Sequence, residues 1–219
     1  AVRDMLTFYN NVYNVDKTGN SDWNLLAGEA GRNASFEAFS KGKLAMMIEG
    51  DYEWRGVLNP LTGNYKMADR DTNVGFAKIP AQTPKSGVNG QSFVSYSGGS
   101  GYTINPNSME KNTAWDLLTF MNGRDAALAN MSIGGAVRIT QRKDVNAVTL
   151  MSDPCLKFVF ENAIPNTFFR PAEVNYNAVS TLLQKATGDI VSGKTVAQAA
   201  ADYETALKAL VGADKVVSN

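Results

Sequence analysis

Two carboxylates and two large aromatic side chains follow an apolar run in the first quarter of the chain. Residues 44–48 read LAMMI, and Glu49, Asp51, Tyr52 and Trp54 come directly after them. Five successive apolar residues predict a strand buried on both faces. Ligands of open α/β sheets sit where such strands end. The stretch therefore predicts a small-ligand site built on Asp51, Tyr52 and Trp54, with core packing of the aromatics as the alternative.

A glycine-rich run is the second candidate site. Residues 98–101 read GGSG. The backbone N–H groups of Gly98, Gly99 and Ser100 could therefore donate hydrogen bonds to a ligand. The alternative is a hairpin-like turn that needs glycine at positive φ. The run is not a phosphate loop, because no Gly-Lys-Ser/Thr sequence follows it.

The residue inventory argues against several catalytic chemistries. The chain has no histidine, which removes the commonest general base and metal ligand, and a single cysteine, Cys155. Asp153 and Pro154 precede it as a cap and a first-turn proline, so we expect a buried cysteine rather than a reactive thiol. We predict no catalytic residue, no metal site and no cofactor. A carboxylate pair, Glu49 with Asp51, remains as an enzymatic alternative, although adjacent turn residues rarely reach the roughly 5 to 9 Å arrangement of glycosidases.

Composition limits the classes of partner. The 219 residues are 44% hydrophobic and 19% charged, as in ordinary soluble globular proteins. Lys+Arg and Asp+Glu both number 21, so no net field attracts nucleic acid. No apolar run approaches the roughly 18 residues that span a bilayer. The amphipathic N-terminus predicts that any targeting segment has been removed or lies outside this piece.

Periodicity predicts a helix-rich chain with few strands. Helices are expected at the N-terminus, around 36–39, from 51, over 108–122 and 124–131, and after Pro154, Pro171 and Thr195, where Thr195 and Gln198 form a capping box. Strands are expected over 44–48, 73–79, 93–96 and 102–104. The helix over 108–122 is expected to turn Ala114, Leu117, Leu118 and Met121 inward and to pack Trp115. The strands are too few for the helices, which indicates a missing partner segment.

Several motifs, taken in order, carry a resemblance to a known family. They are FSKGKLAMMIEGDYEW, NVGFAKIP, GGSGYTINPNS, IGGAVRITQRKDV, YNAVSTLL and SGKTVAQAAADYETALKAL. Their order over nearly the whole chain resembles the C-terminal half of bacterial extracellular solute-binding proteins of the maltose-binding type, which serve ABC importers.

The resemblance implies an α/β fold, periplasmic-binding-protein-like (type II), of which this chain is the helix-rich C-terminal portion of a two-lobed protein. It implies residues 1–75 in the C-terminal lobe, 76–125 as a crossover returning to the N-terminal lobe, and 126–219 as the helical remainder. It also implies a missing N-terminal segment of the same protein. If the piece stands alone, apolar surface should be exposed.

The same resemblance implies a non-enzymatic carbohydrate-binding protein, with an oligosaccharide favoured as ligand. Tyr52 and Tyr176 match aromatic positions of the family, while Arg170 is a further polar or stacking partner. ABC permease subunits are the implied partners, and the periplasm or a lipid-anchored cell surface the implied location. The alternatives are a carboxylate-based glycoside-processing enzyme, a binding protein for a non-sugar solute, and a helical interaction module.

Overall fold

The structure is a computed structural model that describes residues 1–24, 26, 29–99, 101–133 and 137–217. It is 57% helical and carries a small mixed sheet of three strands in the described part. The chain is therefore a helix-rich α/β protein, as the sequence predicts at this coarse level. No helix within the described ranges is long and apolar enough to cross a membrane.

The helices and strands that position the rest have the following bounds. The α-helices are α1 Val2–Asn10, α2 Ser21–Asn24, α3 Ala30–Ser40, α4 Arg70–Asn73, α5 Lys111–Met121, α6 Arg124–Ser132, α7 Lys143–Thr149, α8 Pro154–Phe158, α9 Tyr176–Val191 and α10 Val196–Val211. The strands are β1 Ile79–Pro80, β2 Phe93–Tyr96 and β3 Thr167–Phe168. Wider π-helical turns cover Asn11–Val15, Glu53–Val57 and Val159–Ala163, and 3-10 turns cover Val88–Gly90, Leu150–Ser152, Ile164–Asn166 and Ala213–Lys215.

The residues group into two compact units, 1–35 with 171–219, and 36–170. The divisions at 75/76 and 125/126 refer to lobes of a larger protein, and they stay a prediction.

In the first unit, α1, α9 and α10 enclose an apolar core. Its buried members are Leu6, Ala186, Ile190, Ala199 and Ala200. The spacing of apolar residues on each helix predicts this arrangement, because residues three and four apart share a face. The N-cap half of the predicted capping box is confirmed: the Gln198 N–H donates to Thr195 Oγ1 over 3.3 Å at the start of α10. The Gln198 side chain accepts from the Thr195 hydroxyl over 2.9 Å.

In the second unit, a three-stranded sheet lies beside short helices. Strand β1 pairs antiparallel with β2, with Ile79 opposite Val94, and β2 pairs parallel with β3, with Tyr96 opposite Phe168. The predicted cap of α8 is confirmed, since the Leu156 N–H donates to Asp153 Oδ1 over 2.9 Å. Cys155 is buried in the first turn of α8, as expected.

Three predicted strands are wrong in whole or in part. Residues 44–48 form neither strand nor helix, and Met46 and Ile48 are 85% and 76% exposed rather than buried. Of the strand predicted over 73–79, only Ile79 is in a strand, while Asn73 ends α4. Residues 102–104 form no strand. The reason is that a strand requires a neighbour to pair with, which a local apolar pattern does not reveal.

Helix α5 also departs from the prediction. None of its residues is buried, Leu117 and Met121 on the expected inner face are exposed, and Trp115 is 64% exposed instead of packed. The helix predicted after Pro171 begins later, at Tyr176. Apolar surface is thus exposed on the chain. That the chain is part of a longer protein stays a prediction.

Candidate functional site

The carboxyl ends of the parallel strands β2 and β3 bring two aromatic rings together. Tyr96 and Phe168 lie opposite each other in the register, and their ring centroids are 5.9 Å apart at an interplanar angle of 59°. Both rings are about half exposed, at 45% and 46%. The Ser97 N–H donates to the Phe168 carbonyl over 2.9 Å, which holds the two strand ends in register. The pair therefore presents an apolar surface to solvent at the sheet edge that binds ligands in open α/β folds.

Arg170, a predicted site residue, joins this pair. Its guanidinium carbon lies 5.2 Å from the centroid of the Tyr96 ring, within the range of a cation–π contact. Arg170 is exposed, so its N–H donors face water. A guanidinium beside aromatic faces can hydrogen-bond to hydroxyl or carboxylate oxygens while the rings contact an apolar ring face. We call Tyr96, Phe168 and Arg170 the strand-end cluster.

The glycine run continues from the same strand end. A Cβ built on Gly98 would lie 3.0 Å from the Tyr96 hydroxyl oxygen, so the Gly98 backbone lies close to the phenol. A Cβ on Gly99 would meet no atom within 4 Å. Among the predicted site residues, Gly98 and Arg170 thus lie at the strand-end cluster, and Gly99 follows Gly98 without a neighbour at its Cβ position. Ser100 falls outside the described residues.

In the turn that follows residues 44–48, the carboxylates accept hydrogen bonds from nearby residues of the same segment. Glu49 accepts hydrogen bonds from the Gly50 N–H and the Tyr52 hydroxyl. Asp51 Oδ2 accepts from Arg55 Nε over 2.9 Å, four residues along the chain. Asp51 and Tyr52 are half-buried. Both carboxylates therefore serve local structure here, and the ligand-binding role of Asp51 and Tyr52 stays a prediction.

Trp54 is surrounded by protein. Its side chain is 3% exposed, its indole Nε1–H donates to Asp153 Oδ2 over 3.1 Å, and the Phe76 ring meets it edge-on at 4.9 Å. The Arg70 guanidinium lies 3.9 Å from its ring centroid and donates to its carbonyl over 2.7 Å. These contacts favour the core-packing alternative for Trp54.

The thiol of Cys155 also bears on the chemistry. Burial, with Asp153 and Asp51 nearby, raises the pKa of the Cys155 thiol to about 12. Because the thiolate is the nucleophile, this cysteine is inert at neutral pH. No group of three potential metal-ligating side chains occurs in the described portion of the chain.

Tyr176, the remaining predicted site residue, is the first residue of α9 and is half-buried. It belongs to the unit of residues 1–35 and 171–219, whereas the other predicted residues belong to 36–170. Its role in ligand binding stays a prediction.

Two open cavities lie away from the strand-end cluster. One, of about 440 Å³, is bordered by residues of the 39–45 and 67–74 segments, including Lys41 and Asp69. The other, of about 650 Å³, lies between the π turn after α1 and α9, and it contains Tyr9 and Tyr13, whose rings stack at 6.0 Å. Burial raises the pKa of Tyr9, which also packs on the core of its unit. Neither cavity contains a predicted site residue.

Sequence reasoning missed Tyr96 and Phe168 as site residues. The available signals were local: Tyr96 stands directly before the glycine run, and Phe168 lies in an aromatic pair directly before Arg170. Their meeting requires the parallel pairing of β2 with β3, which no local pattern indicates. A scan against models of known protein families and a search of the curated proteins return no match to this chain.

Proposed function

We propose that this chain binds a carbohydrate, with an oligosaccharide favoured, and releases it chemically unchanged. The observation that carries the proposal is the strand-end cluster. Sugars offer an apolar ring face and a belt of hydroxyls, and Tyr96 with Phe168 suits the first while Arg170 suits the second. The Gly98 backbone lies close to the Tyr96 hydroxyl, and because glycine has no side chain a ligand could approach the backbone there.

The wider role follows from the family resemblance of the motifs. We propose that the chain is the C-terminal part of a two-lobed, periplasmic-binding-protein-like (type II) protein and that an N-terminal segment completes it. A ligand that contacts both lobes would shift the equilibrium from the open to the closed conformation. The reason is that a ligand shifts a conformational equilibrium only when it binds one conformation more tightly than the other. The closed form would deliver ligand to the permease subunits of an ABC importer, in the periplasm or at a lipid-anchored cell surface.

The contacts of the two turn carboxylates favour binding over catalysis. Glu49 accepts from the Tyr52 hydroxyl, and Asp51 pairs with Arg55. A glycosidase needs one carboxyl group held protonated and a second on the opposite ligand face. Product formation from an oligosaccharide would favour the enzymatic alternative. Binding of a non-sugar solute, without binding of any sugar, would favour a binding protein for that kind of solute.

The first experiment is a thermal-shift panel of neutral oligosaccharides with the wild-type chain. A ligand at about 100 times its Kd stabilises by roughly 2.7 kcal/mol, which is a measurable rise in Tm. Chromatography of the same mixtures reports any turnover. We expect a rise in Tm with at least one sugar and no product.

A matched pair of glycine variants then locates the site. Gly98→Ala places a methyl group against the Tyr96 hydroxyl and should weaken sugar binding, whereas Gly99→Ala meets no neighbour and should leave it unchanged. Equal affinities for the two variants would remove the glycine run from the site. Tyr176→Ala, assayed in parallel, should weaken binding at little cost to folding, and unchanged affinity would remove Tyr176.

A further inference from the structure

The sheet of the second unit is built from a part of the chain that carries positive charge only. Residues 72–109 and 162–170 contain all three strands, and they include Lys78, Lys85 and Arg170 but no aspartate or glutamate. The strands and turns that pack most closely on β2 lie within these two ranges. The whole chain, by contrast, has 21 basic and 21 acidic residues. The strand-end cluster therefore lies in a locally cationic part of a chain without net charge.

The charge of Arg170 is not balanced by a carboxylate of the described residues. Arg70 provides a comparison, because its guanidinium also lies over an aromatic ring, that of Trp54, at 3.9 Å. Arg70 is buried, and its Nη2 forms an ion pair with Asp71 over 2.7 Å. Arg170 is exposed, and within the described ranges its contact is with the Tyr96 ring alone. Its N–H donors are thus available to a ligand that lies on that ring.

The pleat of the sheet places Arg170 and Lys78 on opposite faces. Successive side chains of a strand alternate between the two faces, so Tyr96 and Phe93 of β2 point to opposite sides. Phe168 lies opposite Tyr96 in the parallel register, and Arg170 contacts the Tyr96 ring on the same face. The Lys78 ammonium lies 4.7 Å from the centroid of the Phe93 ring, on the other face. The strand-end cluster therefore contains one of these two cations, and Lys78 is its counterpart on the far side of the sheet.

A sugar that carries a carboxylate matches this arrangement better than a neutral sugar does. Its ring face can lie against the rings of Tyr96 and Phe168, as that of any sugar can. Its carboxylate can in addition accept two parallel hydrogen bonds from the Arg170 guanidinium, and such charge-assisted bonds are stronger than those to a hydroxyl. A small inorganic anion would use the guanidinium alone and leave the two exposed rings without a contact.

We propose that the ligand of the strand-end cluster is an acidic oligosaccharide, a sugar chain that contains uronic acid residues, and that Arg170 determines this specificity. The inference rests on the proposed function, because it names the class of sugar that the same site takes. Tyr96 and Phe168 contact the ring of a uronic acid residue, and Arg170 binds its carboxylate. A neutral sugar makes the aromatic contacts without the charged one, so it binds more weakly.

Isothermal titration with matched pairs of ligands tests the specificity. Each pair consists of an oligosaccharide of galacturonic, glucuronic or mannuronic acid and its methyl ester, which keeps the ring and the hydroxyls but carries no charge. We expect the wild type to bind at least one acid about three- to tenfold more tightly than its ester, because a hydrogen-bonded ion pair at an exposed site contributes about that much. Raising the salt concentration from about 0.05 to 0.5 M should reduce this preference, because salt screens exposed charges.

Variants of the sheet then assign the preference to one residue. Arg170→Gln removes the charge and should bring the ratio of the acid and ester affinities to about one, whereas Arg170→Lys keeps the charge without the planar fork and should retain part of the preference. Lys78→Gln removes the same charge from the opposite face, and it should leave the ratio as in the wild type. Tyr96→Ala should weaken the acid and the ester alike. Circular dichroism of each variant shows whether its fold is retained.

The outcomes distinguish this inference from the proposed function. If every ester binds as tightly as its acid, or if Arg170→Gln and Lys78→Gln change the ratio equally, the inference is wrong and carbohydrate binding stands. Binding of neutral oligosaccharides without binding of any uronic acid chain has the same meaning. If no sugar of either kind binds, both proposals are wrong. Displacement of the acidic sugar by acetate at the same concentration would mean that Arg170 accepts any carboxylate, and it would overturn the specificity for a sugar.

Discussion

Replacing Asp153 with alanine should destabilise the protein through two separate contacts. One carboxylate oxygen of Asp153 caps α8 by accepting from the Leu156 N–H over 2.9 Å, and the other accepts from the Trp54 indole over 3.1 Å. Loss of an N-cap costs about 1 kcal/mol. A buried indole N–H left without an acceptor costs about 1–3 kcal/mol more. Asp153→Ala should therefore lower the free energy of unfolding by about 2–4 kcal/mol.

Urea denaturation followed by circular dichroism measures this loss, and a double-mutant cycle divides it. In a Trp54→Phe background the indole donor is absent, so Asp153→Ala should cost only the cap contribution of about 1 kcal/mol. Asp116→Ala, at an exposed position in α5, is the control and should stay within about 0.5 kcal/mol of wild type. A loss below about 0.5 kcal/mol for Asp153→Ala, or equal losses in both backgrounds, would refute the structural role assigned to Trp54.

Two further predictions concern stability. Thr195→Ala should cost about 1 kcal/mol in urea denaturation because it removes the cap of α10, whereas Thr205→Ala, inside the same helix, should be nearly neutral; equal costs would contradict the capping role. Above about pH 9 the unfolded chain releases the Cys155 proton that the folded chain retains up to about pH 12, so stability should fall as pH rises, by at most about 1.4 kcal/mol per pH unit. Urea denaturation at about pH 8 and pH 10 should show a smaller fall for Cys155→Ala, and an identical fall would mean that the thiol is not protected.

Features that depend on neighbouring residues in the chain were predictable. The caps at Asp153 and Thr195 are satisfied by N–H groups three residues along, so their types and spacing specify them. The burial of Cys155 follows from its place in the first turn of a capped helix.

Features that depend on distant partners were not predictable. Residues 44–48 have the composition of a buried strand, but Met46 and Ile48 lie exposed, because no described strand pairs with the segment. Helix α5 has an apolar face at the expected spacing and still buries no residue. The strand-end cluster requires β2 to meet β3 across a long stretch of intervening chain. Sequence patterns indicate which residues are suited to burial. Whether a residue is buried depends on whether a distant strand or helix packs against it.

Isothermal titration of the chain with an oligosaccharide that raises its Tm tests the central claim most directly. We predict saturable binding by the wild type and by Phe120→Ala, which removes an exposed aromatic ring of α5. Tyr96→Ala should bind about two- to tenfold more weakly, because one aromatic contact is worth about 0.5–1.5 kcal/mol. Absence of binding by the wild type, or equal affinities for Tyr96→Ala and Phe120→Ala, would contradict the assignment of the strand-end cluster as a carbohydrate site.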